Sequence, residues 1–277
     1  RAIHAIDSTT IALVANCMDW AKHRRRKAAA KMHLRLNLQS FLPGFAVIEE
    51  ASHHDDTRTL ALCAGLQAGE IAVFDKAYVH FANLFHLSQR GIFWVTRAKD
   101  NLRYHVCRKR LRQPQGRILR DDEVTLKVSA SRRQYPGRLR RIEAQVQVNG
   151  EWVLMVFLTK NMDWAPSSVC DLYRCRWGIE VFFKQIKQTF KVCDFLGHSK
   201  HAIRWQLWSA LLLLVLLRYI AFISQWPHSF TRLFTLVRGV LWDRFGIFDL
   251  ADFYGTARTR YRMCSQPQQA YLPGFSP

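Results

Sequence analysis

The run Gly69-Glu70-Ile71-Ala72-Val73-Phe74-Asp75-Lys76-Ala77-Tyr78, with Phe81 to Gln89 and Gly91-Ile92-Phe93-Trp94-Val95-Thr96-Arg97 behind it, decides the fold class. The first run is short, apolar and ends on an Asp, which reads as a buried strand. Phe81 to Gln89 reads as a helix and Gly91 to Arg97 as another buried strand. Strand, helix, strand implies a right-handed parallel crossover, and hence an α/β sheet. In open α/β sheets polar functional residues gather at the carboxyl ends of such strands. Asp75 stands at one.

Toward the N-terminus, Ile3 to Leu13 reads as a strand carrying Asp7, followed by the hydroxyl residues Ser8, Thr9 and Thr10. A lone Asp of this kind is most simply a turn residue. From Lys31 to Gln39, Met32, Leu34, Leu36 and Leu38 alternate with Lys31, His33, Arg35, Asn37 and Gln39, a period-two strand. Pro43-Gly44 is expected to turn the chain into a third strand, Phe45 to Ile48, closing an antiparallel hairpin. The cluster His53, His54, Asp55, Asp56 lacks the fixed spacing of a metal site. Asp55 or Asp56 is therefore expected to cap a helix running through Thr59 to Leu66. The basic cluster His23-Arg24-Arg25-Arg26-Lys27 reads as a solvated loop or a phosphate contact.

Toward the C-terminus the chain changes character between residues 102 and 160. His105 to Arg120 is dense in Arg and Lys; Val124, Leu126 and Val128 then alternate with polar residues, as do Ile142, Ala144, Val146 and Val148. Asn149-Gly150 is a strong hairpin signal, with Trp152 to Leu158 as the returning strand. This is a basic β-rich insert whose arginines suit a phosphate backbone. Trp152 reads either as a core residue or as a platform for an extruded base.

The 277 residues, 49% hydrophobic, suffice for one large domain or two smaller ones. Forty-one Lys and Arg against 21 Asp and Glu leave a net charge of +20, which points to a polyanionic partner, nucleic acid before membrane. Trp205 to Ile223 holds the run Leu211 to Leu217, broken by Arg218; it falls short of the roughly 20 residues of a bilayer span, so a buried core helix is expected. Seven cysteines, odd in number and without a CxxC pair, suggest reduced, mostly buried thiols in a cytosolic protein. Because Arg1 leads almost directly into an apolar segment, a region ahead of it is expected.

The chemistry concentrates in Tyr173-Arg174-Cys175-Arg176-Trp177-Gly178-Ile179-Glu180-Val181-Phe182-Phe183-Lys184-Gln185-Ile186-Lys187, a helix started by Pro166-Ser167-Ser168. On a helical wheel Tyr173, Arg176, Glu180 and Lys187 share one narrow arc beside an apolar stripe of Leu172, Ile179, Phe183, Ile186 and Phe190. An ordinary Arg176–Glu180 surface pair would account for part of this row. The spacing of all four resembles the signature of the insertion-sequence-four family of DDE transposases. Asp7-Ser8-Thr9 and Asp75-Lys76-Ala77-Tyr78 resemble that family's two Asp segments, with Ala77 where Gly is common.

The resemblance implies a ribonuclease-H-like mixed sheet flanked by helices, with a β-rich insertion between the second Asp and the Glu. Its parts are a first core segment, 1–101; the basic insertion, 102–160; a second core segment with the Glu helix, 161–225; and a C-terminal helical segment and tail, 226–277. It further implies a two-ion site for Mg²⁺ (or Mn²⁺) on Asp7, Asp75 and Glu180, catalysing DNA cleavage and strand transfer. Tyr173, Arg176 and Lys187 would grip phosphates. Lys31, His33, Arg97 and Lys99 are secondary candidates for DNA contact, with Trp152 for base stacking. The expected partner is double-stranded DNA, as element ends and target, bound by a homodimer in the bacterial cytoplasm beside the nucleoid, with no membrane expected. A nuclease without strand transfer and an inactive DNA-binding descendant are the alternatives.

Overall fold

The computed structural model describes residues 1–13, 22–24, 27–52, 54–148, 150–189 and 195–240. His53, Asn149, Phe190, Trp242 and Phe245, most of the 23–27 basic cluster, and Cys17, Cys193 and Cys264 lie outside the described residues or are described without their side chains. The chain divides into two compact units: Arg1–Thr10 with Ala29–Glu180, and Ile11–Ala28 with Val181–Pro277.

The first unit is built on one mixed sheet. Its strands are β1 (Ile3–Leu13), β3 (Lys27–Asn37), β4 (Leu42–Glu50), β5 (Ile71–Phe74), β6 (Phe93–Arg97), β7 (Tyr104–Lys109), β8 (Ile118–Leu126), β9 (Leu139–Val148) and β10 (Glu151–Thr159), with the short β2 (Lys22–Arg24) against the start of β3. They lie in the order β4-β3-β1-β5-β6-β10-β9-β8-β7. β5 runs parallel to both β1 and β6, while β4 pairs with β3, and β10 with β6, antiparallel. The strands of residues 102–160 thus extend the core sheet through β10.

All four residues of β5 are buried, as a strand covered on both faces requires. Ala72 and Phe74 enter one core with Ile6, Leu62, Leu84, Leu87, Trp94 and Leu158, beneath α1 (Thr59–Leu62) and α2 (Phe81–Gln89). Ile71 and Val73 face the other way, toward Val95, Ile142 and Phe157, where Val169 and Tyr173 of α4 (Pro166–Cys175) close the second layer. Each fully buried Val, Leu, Ile or Phe contributes about 1.5–3 kcal/mol. Between them, α3 (Ser129–Gln134) interrupts the alternation expected to reach Val128.

Several expectations need correcting. The turn between β3 and β4 is not at Pro43-Gly44 but at residues 38–41, where Asn37 Oδ1 accepts the N–H groups of Gln39 and Ser40 and Phe41 takes φ 57°. Pro43 and Gly44 sit inside β4 at a register shift, and a Cβ on Gly44 would stand 3.2 Å from Arg35 Nε. Two polar residues of β3 point inward: His33 is fully buried, and buried Arg35 donates to the carbonyls of Leu62 and Gly44. Neither Asp55 nor Asp56 caps a helix through its side chain, and α1 stops at Leu62. Of the four described cysteines only Cys63 is buried.

In the second unit, α6 (Lys200–Ile223) packs against α7 (Phe230–Val240), and the half-buried Arg218 lies over the Phe230 ring and donates to Gln185. Only one stripe of α6 is buried: Ile203, Leu207, Ala210, Leu211, Leu214 and Leu217. Trp205, Leu212, Tyr219 and Phe222 are exposed, so the helix is not the fully buried element its composition suggests. By length and composition it is apolar enough to cross a membrane.

Candidate active site

Three chain segments converge in the first unit. β1 carries Asp7; its neighbour β5 ends at Phe74, and Asp75 follows. The parallel register pairs Ile6 with Phe74, so the two Asp residues come next, on adjacent strands. Asp75 then caps the 3-10 turn Lys76–Tyr78, its Oδ1 accepting the Lys76 N–H at 2.7 Å. Asp7 Oδ1 accepts the Ser8 N–H at 2.8 Å in the same way.

The third segment is not one helix. α4 ends at Cys175, Arg176 forms a tight turn, and α5 (Trp177–Thr189) begins immediately after. At the joint the Arg176 N–H reaches the Tyr173 carbonyl and the Ile179 N–H reaches that of Arg176, three-residue steps tighter than an α-helix. Gly178 makes the joint workable: a Cβ there would lie 3.0 Å from Leu38 Cδ2.

Arg176 stands at the centre. Its Nη1 lies 2.5 Å from Asp7 Oδ2 and its Nη2 2.6 Å from Glu180 Oε1, a guanidinium fork between two carboxylates. The Tyr173 ring lies 5.5 Å from the guanidinium, and its hydroxyl reaches toward Asp75 Oδ1 at 3.5 Å. Asp7, Asp75, Tyr173, Arg176 and Glu180 are therefore brought together. Lys187 lies in α5 two turns beyond Glu180, in the second unit.

Electrostatics agrees with the geometry. Burial pushes the Asp7 carboxyl up to about 6; Arg176 opposes that rise, while Asp75 and Glu180 add to it. Burial works against the charge on Arg176, but Asp7, Tyr173, Glu180 and Asp75 outweigh it and hold its proton more firmly than usual. Burial also raises the Tyr173 hydroxyl, which stays neutral. Among the described residues, no three His, Cys, Asp or Glu side chains stand close enough to hold one metal ion as placed. The donor chemistry nevertheless fits hard divalent cations: the carboxylates of Asp7 and Glu180 meet at Arg176, with Asp75 beside Tyr173, and Asp7 keeps a raised pKa even with Arg176 against it.

The remaining candidates divide. Arg97, partly exposed, is near enough to Tyr173 to favour its ionised form, and Lys99 is exposed two residues on. Trp152 is 52% exposed, so it is not a core residue, and Arg117 stacks 4.7 Å from its ring. Lys31 and His33 both turn toward partners within the protein, and of the two His33 is too buried to reach DNA as placed. His33 has no exposed surface and lies 3.0 Å from Tyr78 Oη, while Lys31 Nζ pairs with Asp55 Oδ1 at 3.2 Å. Many arginines of the 102–160 strands are likewise engaged. Arg140 forks Asp121 at 2.8 and 2.6 Å while donating to the Trp164 carbonyl, and Arg110 and Arg138 both reach Glu123. Ser8 and Asp55, hydrogen-bonded at 2.8 Å beside Asp7, went unseen in the sequence because no periodic pattern links residues so far apart.

Comparison with known proteins agrees with this arrangement. Residues 1–216 match the model of the transposase DDE domain. Transposase y4zB of Sinorhizobium fredii (strain NBRC 101917 / NGR234) is 31% identical over 87% of this chain and 67% of its own length. The transposase of insertion sequence element IS5377 from Geobacillus stearothermophilus is 26% identical over 79% of this chain and 57% of its own. The chain thus spans between half and about two thirds of these relatives. A solved piggyBac transposase synaptic complex with hairpin DNA shares the fold, with a TM-score of 0.52 at 8% identity over 91% of this chain and 56% of that one. The mixed sheet flanked by helices is accordingly the ribonuclease-H-like transposase fold. The chain belongs to the transposase DDE domain family, whose members in general use divalent metal ions and act on DNA.

Proposed function

We propose that this chain is the catalytic core of a DNA transposase that cuts and joins DNA strands by two-metal phosphoryl transfer. The observation that carries the reading is the convergence of Asp7, Asp75 and Glu180 around Arg176. Asp7, Asp75 and Glu180 would hold two Mg²⁺ (or Mn²⁺) ions. Bound there, such ions activate a water or 3′-hydroxyl and stabilise the leaving oxygen.

The chain's own residues would orient the DNA. Arg176 holds Asp7 through Nη1 and Glu180 through Nη2, so a phosphate gripped by the same guanidinium would share it with both carboxylates. Tyr173, held neutral by burial, offers its hydroxyl as a donor beside Asp75. Lys187 adds a point charge to the grip by family resemblance, and Arg97 and Lys99 extend it along the strand. The row Tyr173, Arg176, Glu180, Lys187 supports the insertion-sequence-four branch. The working form we infer is a homodimer on paired element ends, acting beside the nucleoid in the bacterial cytoplasm; the bacterial sources of the relatives support that setting.

Glu180→Gln tests the reading on the protein extended to the length of its relatives. Metal-dependent nicking and joining of a broad pool of DNA ends should fall at least a hundredfold, on the order of the loss of a group aimed at developing charge, with DNA binding retained. Unchanged cleavage would overturn the assignment; cleavage without joining would mark a nuclease.

A further inference from the structure

Behind the carboxylates, on the side of β3, lies a second polar cluster that the proposed chemistry does not use. Ser8 follows Asp7 and holds two bonds at once. Its N–H goes to Asp7 Oδ1 and its hydroxyl to Asp55 Oδ1, each at 2.8 Å. Asp55 Oδ1 is also 3.2 Å from Lys31 Nζ and 3.5 Å from His33 Nδ1. The same His33 nitrogen lies 3.0 Å from the hydroxyl of Tyr78, three residues after Asp75 in the turn that Asp75 caps. On its other side His33 Nε2 faces Glu49 Oε1 at 3.2 Å, and Glu49 is forked by Arg58. His33 is thus a fully buried node between the segment of Asp7 and the segment of Asp75.

Buried polar side chains are costly unless satisfied; here the hydrogen bonds Ser8–Asp55 and His33–Tyr78 restrain the backbone at either end, while His33 Nε2 faces Glu49 without a hydrogen bond. Here the two ends of the network are the residues next to Asp7 and the turn opened by Asp75. We propose that Ser8, Asp55, His33 and Tyr78 are positioning residues, a brace behind the site that sets the spacing of the Asp7 and Asp75 carboxylates. The proposal rests on the metal-binding reading above. Partners behind metal ligands of this kind typically change metal affinity ten- to a hundredfold when removed.

The test is Mn²⁺ binding to the folded protein without DNA, followed by the resonance signal of free Mn²⁺ well below the melting temperature. Ser8→Ala and Asp55→Asn should each weaken binding about tenfold, Ser8→Thr should restore it, and Tyr78→Phe should weaken it from the Asp75 side. Asp7→Asn serves as the reference. If Asp7→Asn loses Mn²⁺ while Ser8→Ala and Asp55→Asn bind as the wild type does, the brace is wrong and the metal site stands. If Asp7→Asn itself binds normally, the metal reading falls and the brace with it. A loss in Asp55→Asn that only tracks its melting temperature, with Ser8→Ala unaffected, also overturns the proposal.

Discussion

Asp7 and Asp75 each follow the last paired residues of two neighbouring parallel strands, Ile6 and Phe74, so the two carboxylates come at the same level although β1 itself runs on to Leu13. Like charges so placed, one of them buried, are expensive; the only cation the described residues set between Asp7 and Glu180 is Arg176.

Asp7 should therefore make stability depend on pH. Its native carboxyl is pushed up to about 6, against 3.8 unperturbed, first by burial. Between those values the folded protein holds a proton that the unfolded chain has released. This stabilising contribution is whole below pH 4 and is lost as pH rises through 6, by about 3 kcal/mol. Urea midpoints of wild type minus Asp7→Asn should fall across that window, and a flat difference would count against the buried, repelled carboxyl.

Arg176→Gln removes one partner from a pair whose side chains are 14% and 16% exposed. Leaving Asp7 uncompensated should cost about 3 kcal/mol at pH 8. At pH 5 protonation of Asp7 relieves the loss, so the deficit should shrink. A deficit independent of pH would mean that Arg176 stabilises by packing alone.

Gly178→Ala sets two effects against each other. Alanine in a helix gains about 1 kcal/mol over glycine, but the new Cβ would meet Leu38 Cδ2 at 3.0 Å. We expect the contact to prevail, with a net loss of about 1 kcal/mol. In a Leu38→Ala background the same change should become stabilising, which chemical denaturation of the four-member cycle would reveal.

Trp152→Ala should leave the melting temperature unchanged, because the ring is half exposed and its neighbour is the Arg117 guanidinium. If the ring stacks on DNA, binding of unpaired or distorted ends should weaken by about 1–3 kcal/mol. Equal affinity for such ends would show that the indole is a surface residue only.

Much of this fold was legible because its signals were local. The period-two run in β3, the strand-helix-strand run of residues 71–97 and the hairpin returning through Trp152 each fall where the sequence puts them, with α2 matching Phe81–Gln89 to the residue. The convergence of Asp7, Asp75 and Glu180 was legible through family resemblance; no local period could have joined them. What misled was context. Pro43-Gly44 looks like a turn, yet Asn37 and the positive φ of Phe41 make the turn earlier. His33 sits on what alternation marks as a wet face, yet Asp55, Glu49 and Tyr78 bury it. The signature reads as one helix, but Gly178 packed on Leu38 accompanies a break at Arg176.

The contact between Arg176 and Asp7 spans 169 positions of the chain. During synthesis at roughly 5–20 residues per second, β1 leaves the ribosome well before the segment that completes its surroundings. For that interval a nascent or prematurely ended polypeptide carries both aspartates without their arginine and glutamate. The order of the chain thus leaves the centre incomplete until the segment carrying Arg176 and Glu180 has been made.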